Sequence, residues 1–339
     1  MTTYANAGVN LDAARELTGR LAGIVGGTRT PGVLADVGAF GGMFTLGSGG
    51  EPVLVASTDG VGTKVKIASG LSQYGTIGHD IVNHCINDIA VQGAKPLFFL
   101  DYLGLNTADP DIVSEIVGGV AGACREAGIA LLGGETAEMP DVYAPGEFDL
   151  AGFVIGVADR GELGRTGRPA VGDALIGLPS SGLHTNGYSL ARRALPADRW
   201  RETAPGLGMT IGQALLVPHR CYLSEIAALT NAGARGFAHI TGGGFKDNIE
   251  RVLPEDVSAV VDTVTWTPPV IFTLIQQAGS VSASEMYQVF NMGIGMTACV
   301  PELALEAALA AAPDAVVIGR VIDRGDGPPV SVIGNGISL

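Results

Sequence analysis

Residues 57–64 read STDGVGTK: an acid, two glycines, two hydroxyl-bearing threonines and a lysine, at the end of the β-rich run PVLVAST (52–58). The stretch looks like a phosphate-binding loop but departs from the Walker pattern, because Thr63 stands between Gly62 and Lys64. Asp59 also sits where a phosphate would meet like charge. The combination makes chemical sense if a cation mediates. Asp59 would hold a metal that bridges phosphates, Lys64 would add a point charge, and Gly60, Gly62 and Thr63 would offer the anion backbone N–H groups and a hydroxyl.

Outward from this loop the pattern alternates. LFFLDYLGL (97–105), IALLGGET (129–136) and LAGFVIGVA (150–158) are further β-rich runs, with helical periods at about 76–92 and 110–127 between them. That order predicts an α/β layer architecture. ELGRTGRPAVGD (162–173) reads as a linker, after which the alternation restarts with ALIGLPSS (174–181). Helices are expected near 186–195, 211–232 and 244–253, and strands at 257–262, 294–300 and 315–322. The reading is two domains, 1–167 and 168–339.

Composition narrows the function. The chain has 339 residues, 47% hydrophobic and 16% charged, with a formal charge of −14. An acidic surface excludes nucleic acid as the expected partner, since phosphate backbones need clustered Lys and Arg. No apolar stretch approaches the roughly 20 residues of a membrane span. Cys85, Cys124, Cys221 and Cys299 show no C-x-x-C spacing, which favours buried thiols in a reducing cytoplasm over a zinc site.

The segment IGHDIVNHCINDIAVQGAKP (77–96) carries the densest polar signal. On a helical wheel Ile81, Val82, Cys85, Ile86 and Ile89 share one arc, and Asp80, Asn83, His84, Asn87 and Asp88 fill the other. Asn and Asp are poor helix formers, so such a face suggests a site rather than a solvated surface, with Asp88 the leading participant. In LLGGETAEMP (131–140) a strand ends in two glycines followed by Glu135, at the strand end where α/β sheets bind ligands. Asp59, Asp88 and Glu135 thus form a candidate set of oxygen ligands for Mg²⁺. DVGAFGGMF (36–44), with Gly38, Phe40, Gly41 and Gly42, reads as a flap over a nucleotide. In the second half, Ser180, Ser181, His184, Thr185 and Asn186 crowd a strand-to-helix turn suited to a phosphate or an oxyanion, and His239 and Thr241 precede Gly242 and Gly243 at a helix start.

These motifs, in this order, resemble the phosphoribosylformylglycinamidine cyclo-ligase (aminoimidazole ribonucleotide synthetase) family. The match comprises YANAGVNLDAA (4–14), TDGVGTK (58–64), ND (87–88), VQGAKPLFFLDY (91–102), GGETAEMP (133–140), SSGLHTNGYSL (180–190), HITGGGF (239–245) and EMYQVFNMGIGM (285–296). The resemblance implies an α/β (α+β) two-domain fold, in which the N-terminal domains of a homodimer pair their sheets into a barrel. It implies ATP-dependent closure of formylglycinamidine ribonucleotide to 5-aminoimidazole ribonucleotide, with release of ADP and phosphate. Asp59, Asp88 and Glu135 would be metal and nucleotide-phosphate ligands, and Gly38–Gly42 the nucleotide flap. Lys64 would assist phosphoryl transfer, and Ser180, Ser181, Asn186, Thr241, Gly242 and Gly243 would hold the substrate. Either His184 or His239 would take the proton of the attacking nitrogen. The chain departs from the family at His79 and His84, where apolar residues are usual, and at Gln288 and Val289, which replace an Arg-Thr pair. Two other readings stay open on the residues: a small-molecule kinase of the same superfamily, and a non-catalytic nucleotide-binding subunit.

Overall fold

The computed structural model describes residues 3, 4, 6, 7, 16, 30, 32–34, 40–46, 52–161, 163 and 168–339. The first stretch of regular structure comprises β1 (Gly42–Thr45), β2 (Val53–Gly60), α1 (Val65–Leu71), α2 (Gly75–Ala90), β3 (Lys95–Leu105), α3 (Pro110–Glu126), β4 (Ala130–Glu138) and β5 (Phe148–Ala158). There follow β6 (Ala174–Pro179), α4 (Tyr188–Ala194), α5 (Ile211–Leu216), α6 (Leu223–Asn231), β7 (Arg235–His239), α7 (Gly244–Ile249) and β8 (Val257–Asp262). The last elements are α8 (Val270–Gly279), α9 (Ala283–Val289), β9 (Ile294–Val300), α10 (Leu305–Ala311), β10 (Val316–Asp323), β11 (Val330–Gly334) and β12 (Ile337–Ser338).

Two compact units result. One gathers residues 10–163 with Pro196–Cys221; the other gathers 1–9, 164–195 and 222–339. In the first, the strand order is β1-β2-β5-β3-β4, with β3 and β4 parallel and the other pairs antiparallel. α2 lies across β2, β5 and β3, and α3 lies beside α2 and against β4. Gly78 and Gly119 let these helices touch, since a Cβ at either would run into the other helix's backbone. Asp109 caps α3, its carboxylate accepting from the N–H groups of Asp111 (2.9 Å) and Ile112 (3.3 Å), with Pro110 in the first turn.

The second unit is built on a seven-stranded sheet, β12-β11-β8-β10-β6-β9-β7, antiparallel except for the β11–β8 pair. All seven residues of β9 are buried, Thr297 among them.

One expected helix is absent as such. The period over 211–232 is broken into α5 and α6 by Val217–Tyr222. Pro218 drives the residue before it out of helical geometry, and Val217 is indeed extended in ψ (φ −52°, ψ 128°).

Candidate active site

The polar arc of α2 is not solvated. Asp80, Asn83, His84, Asn87 and Asp88 are all buried, as is the apolar arc. Three of the five serve the break after α5. Asp80 Oδ1 accepts from Lys64 Nζ at 2.8 Å and from the His219 N–H at 2.7 Å. Lys64 Nζ also donates to Val217 O (2.8 Å), Asn83 Nδ2 to His219 O (2.7 Å) and Asn87 Nδ2 to Arg220 O (2.8 Å). These side chains satisfy backbone groups of a non-helical segment that would otherwise be buried without partners.

Lys64 is completely buried and is held within this network rather than presented to solvent. Burial lowers its pKa, opposed by the adjoining Asp80, while burial raises that of Asp80, opposed by Lys64.

The remaining two polar residues of α2 face the end of β2. Strand alternation turns Val53, Val55, Ser57 and Asp59 to the α2 side. There His84 Nε2 stands 2.8 Å from Asp59 Oδ2 and 3.7 Å from Asp88 Oδ2, one helical turn along. Burial alone would lower the His84 pKa, but Asp59 and Asp88 outweigh it and push it up to about 9. Ser57 Oγ donates to Asp88 Oδ2 (3.4 Å) and lies 3.2 Å from Phe40 O. Gly42 pairs with Ala56, and a Cβ at Gly41 would lie 3.0 Å from Ala56 O. Phe40, Gly41 and Gly42 are thus laid against β2 beside the acids, while Gly38 falls outside the described residues. The Gly60 N–H donates to Asp59 Oδ1 at 2.6 Å, and Gly62, at φ 67°, turns the chain into the short helical turn Gly62–Lys64 that also contains Thr63.

Glu135 is placed differently. It is exposed and pairs with Tyr102, on the sheet face opposite the one that carries Asp59. The acid on the Asp59 side is Asp101, which sequence reading passed over. One row across the sheet runs Asp59, Gly152, Asp101, Gly134, each pair in register. A Cβ at Gly134 would collide with the Asp101 carboxylate, and burial raises the pKa of that carboxylate. The signal available was strand alternation: in LFFLDYLGL, Asp101 shares a face with Phe99 and Leu103, both fully buried.

The second unit brings its candidates onto two neighbouring turns. In the 180–187 turn the Ser180 N–H donates to Gly293 O (2.8 Å), and Ser180 Oγ lies 2.9 Å from Gly182 O and 3.1 Å from Asn291 Oδ1. His184, buried and left-handed at φ 63°, accepts from the Ser181 N–H through Nε2 (3.2 Å). A Cβ at Gly295 would collide with both His184 Cε1 and Tyr222 Oη, so that glycine makes room for the pair. In the other turn Asn248 Nδ2 donates to Gly242 O (3.2 Å) and Gly244 O (2.8 Å), and Thr241 Oγ1 lies 3.1 Å from Asn248 Oδ1. Gly243 (φ 90°) and Gly244 (φ 64°) adopt the left-handed conformation that the helix entry requires. Asn186 Oδ1 lies 3.3 Å from where a Gly242 Cβ would be, so the two turns adjoin. His239 is fully buried at the end of β7, paired with Met296.

None of the four cysteines forms a disulfide. Burial raises the thiol pKa of Cys85, and takes Cys124 to about 11 and Cys299 to about 12, which leaves these three protonated and unreactive.

Comparison with known proteins adds to this geometry. Residues 17–158 match the family model of the AIR synthase related protein N-terminal domain, and residues 170–329 that of its C-terminal domain. A protein of Sorangium cellulosum (strain So ce56) named phosphoribosylformylglycinamidine cyclo-ligase is 45% identical over 337 residues, covering 96% of this chain and 97% of its own. One of the same name from Geotalea daltonii (strain DSM 22248 / JCM 15807 / FRC-32) is 50% identical over 310 residues, covering 90% and 89%. In fold, the structure titled "AaThiL complexed with AMPPCP and TMP" is similar at a TM-score of 0.63 and 17% identity, covering 95% of this chain and 96% of that one.

Proposed function

Because the chain belongs to the AIR synthase related protein family through both of its halves, we propose that it is an ATP-dependent cyclo-ligase. It closes formylglycinamidine ribonucleotide to 5-aminoimidazole ribonucleotide and releases ADP and phosphate. The observation that carries this reading is the near full-length identity to two cyclo-ligases.

The reaction must expel an amide oxygen, a very poor leaving group. Transfer of the ATP γ-phosphoryl group to that oxygen lets it depart as inorganic phosphate, while the attacking nitrogen forms the ring bond and gives up a proton. Mg²⁺, held by Asp59 and Asp88, would offset the charge that builds on the phosphates during transfer. The chemistry of the donors suits such an ion, since both are carboxylates, and Asp59 Oδ2 and Asp88 Oδ2 lie 2.8 and 3.7 Å from His84 Nε2. In our reading Asp59 and Asp88 hold the metal, Ser57 orients Asp88, and Phe40–Gly42 cover the nucleotide. Lys64 acts as a positioning residue, tying the 59–64 loop to α2 through Asp80. Glu135 enters only from the opposite sheet face. The turns at Ser180–Asn186 and Thr241–Gly243 hold the ribose phosphate, and His184 or His239 accepts the nitrogen's proton.

We also read the protein as a cytoplasmic homodimer. No helix among the described residues is long and apolar enough to cross a membrane. The sheet face away from α2 carries Leu54, Phe98, Leu100, Phe153, Ile155 and Val157, half-exposed or exposed, which supports a sheet-to-sheet interface there.

Substrate labelled with heavy oxygen at the formyl group tests the reaction. The expected result is one labelled inorganic phosphate per ring closed. Unlabelled phosphate, or phosphate kept on an organic product as a kinase would leave it, overturns the mechanism.

A further inference from the structure

The turn that carries Ser180 to Asn186 is held from a second segment. Asn291, 3% exposed, lies between α9 and β9. Its Nδ2 donates to Gly182 O at 2.9 Å, while its Oδ1 accepts from the Gly293 N–H at 2.9 Å and lies 3.1 Å from Ser180 Oγ. The Ser180 N–H closes the frame by donating to Gly293 O at 2.8 Å. A neutral amide is the side chain of this length that donates at one end and accepts at the other. The frame has its own support. Met292 and Gly293 are left-handed (φ 48° and 96°), Trp266 Nε1 donates to Met292 O at 2.9 Å, and a Cβ at Gly293 would run into Pro269. A left-handed methionine persists only where its surroundings fix it.

Planarity of the peptide carries this grip to the far side of the turn. With the Gly182 carbonyl drawn to Asn291, the Leu183 N–H of the same peptide points the opposite way. No hydrogen bond from that N–H is found among the described residues, although Leu183 is only 2% exposed. A buried amide donor in a native structure normally has an acceptor, so a ligand anion is the fitting one here. Taking the Ser180–Asn186 turn as the ribose-phosphate site, we propose that Asn291 is a positioning residue, which aims the Leu183 N–H at the phosphate of the ribonucleotide without touching the substrate itself. Both ends of its amide are engaged within the frame, so its effect passes through the backbone. A backbone N–H suits a phosphate because it brings partial positive charge in a fixed direction. A clamp that serves stability alone predicts a lower melting temperature with substrate binding unchanged.

Nuclear magnetic resonance of the full chain, grown on leucine carrying heavy nitrogen, reads the Leu183 amide directly; its signal is the one missing from Leu183→Met. Titration of the wild type with ribose 5-phosphate should move the Leu183 amide proton downfield, and ribose without its phosphate should not. In Asn291→Leu, which removes donor and acceptor without adding charge, that shift should be lost. KM for formylglycinamidine ribonucleotide should rise roughly 10-fold or more in the same variant, while KM for ATP stays within about 2-fold. A wild-type Leu183 signal that ribose 5-phosphate leaves unmoved, or a wild-type ribonucleotide KM in Asn291→Leu, overturns the proposal. If Asn291→Leu does not fold, Asn291→Asp, which keeps the acceptor and loses the donor, takes its place. Ring closure by a wild type whose Leu183 signal never moves sinks this inference and spares the cyclo-ligase reading. A phosphate-dependent Leu183 shift, lost in the variant, in a protein that closes no ring does the opposite.

Discussion

His84 Nε2 lies 2.8 Å from Asp59 Oδ2, so the strand end bearing the phosphate-loop-like sequence is tied to the middle of α2. This contact joins two motifs that are 25 residues apart in the chain (84 − 59) and gives each acid of the proposed metal site a fixed position. Asp59→Asn and Asp88→Asn keep the volume and remove the charge. Turnover should fall on the order of 10²-fold or more in each. Steady-state rates across a Mg²⁺ titration check this; wild-type activity at limiting Mg²⁺ would remove that acid from the site.

Lys64 should behave as a buried partner. Lys64→Ala leaves the fully buried Asp80 uncompensated, and is expected to cost about 3–5 kcal/mol in urea unfolding. Lys64→Met combined with Asp80→Leu should restore much of that stability. A Lys64→Ala protein as stable as wild type, changed only in its dependence on ATP, would instead assign the ammonium to the nucleotide.

The His84 pair predicts a pH dependence in protein kept metal-free with chelator. The folded-state pKa of about 9 lies above the ordinary histidine value of 6.5. The stabilisation is therefore fully present below pH 6.5 and lost as pH rises through 9. The unfolding midpoint of wild type minus that of His84→Gln should shrink across this window. A difference that stays constant or grows would contradict the assignment.

Gly295→Ala should be costly despite its small size. The new methyl meets His184 and Tyr222 at once, and overpacking of this kind costs about 1–3 kcal/mol. Turnover should drop more than stability does, because the displaced group is a candidate base. Thermal melts and kcat measured on the same preparation separate the two effects.

For the assembly, sedimentation of the wild type should give a dimer, and Phe153→Lys, on the sheet face away from α2, should give a monomer. A wild-type monomer would remove the shared-barrel reading.

The strands were readable because their apolar runs are bounded by glycine and charge; LFFLDYLGL and LAGFVIGVA lie within β3 and β5. The helix over 211–232 misled because its apolar period continues across Pro218, and period alone does not register a missing N–H. The polar arc of α2 is buried rather than solvated, but its division of labour was hidden in the sequence. The groups bonded to Asp80, Asn83 and Asn87 from Val217–Arg220 lie more than 130 residues further on. His84 stood out as one of that polar arc and as a departure from a family pattern, and Asp101 as a single acid in an apolar strand; only the fold gives either one its surroundings.

The seating of Val217–Arg220 against α2 also bears on synthesis. When a ribosome has made residues 1–167, the lysine, aspartate and two asparagines that end up gripping this segment still lack its backbone groups as partners. The first unit must wait for about fifty more residues, several seconds at ordinary elongation rates, with its polar helix face uncovered. A fragment ending at residue 167 should accordingly be recovered as a loosely folded, aggregation-prone chain, whereas nascent chains extended past Cys221 should become protease-resistant.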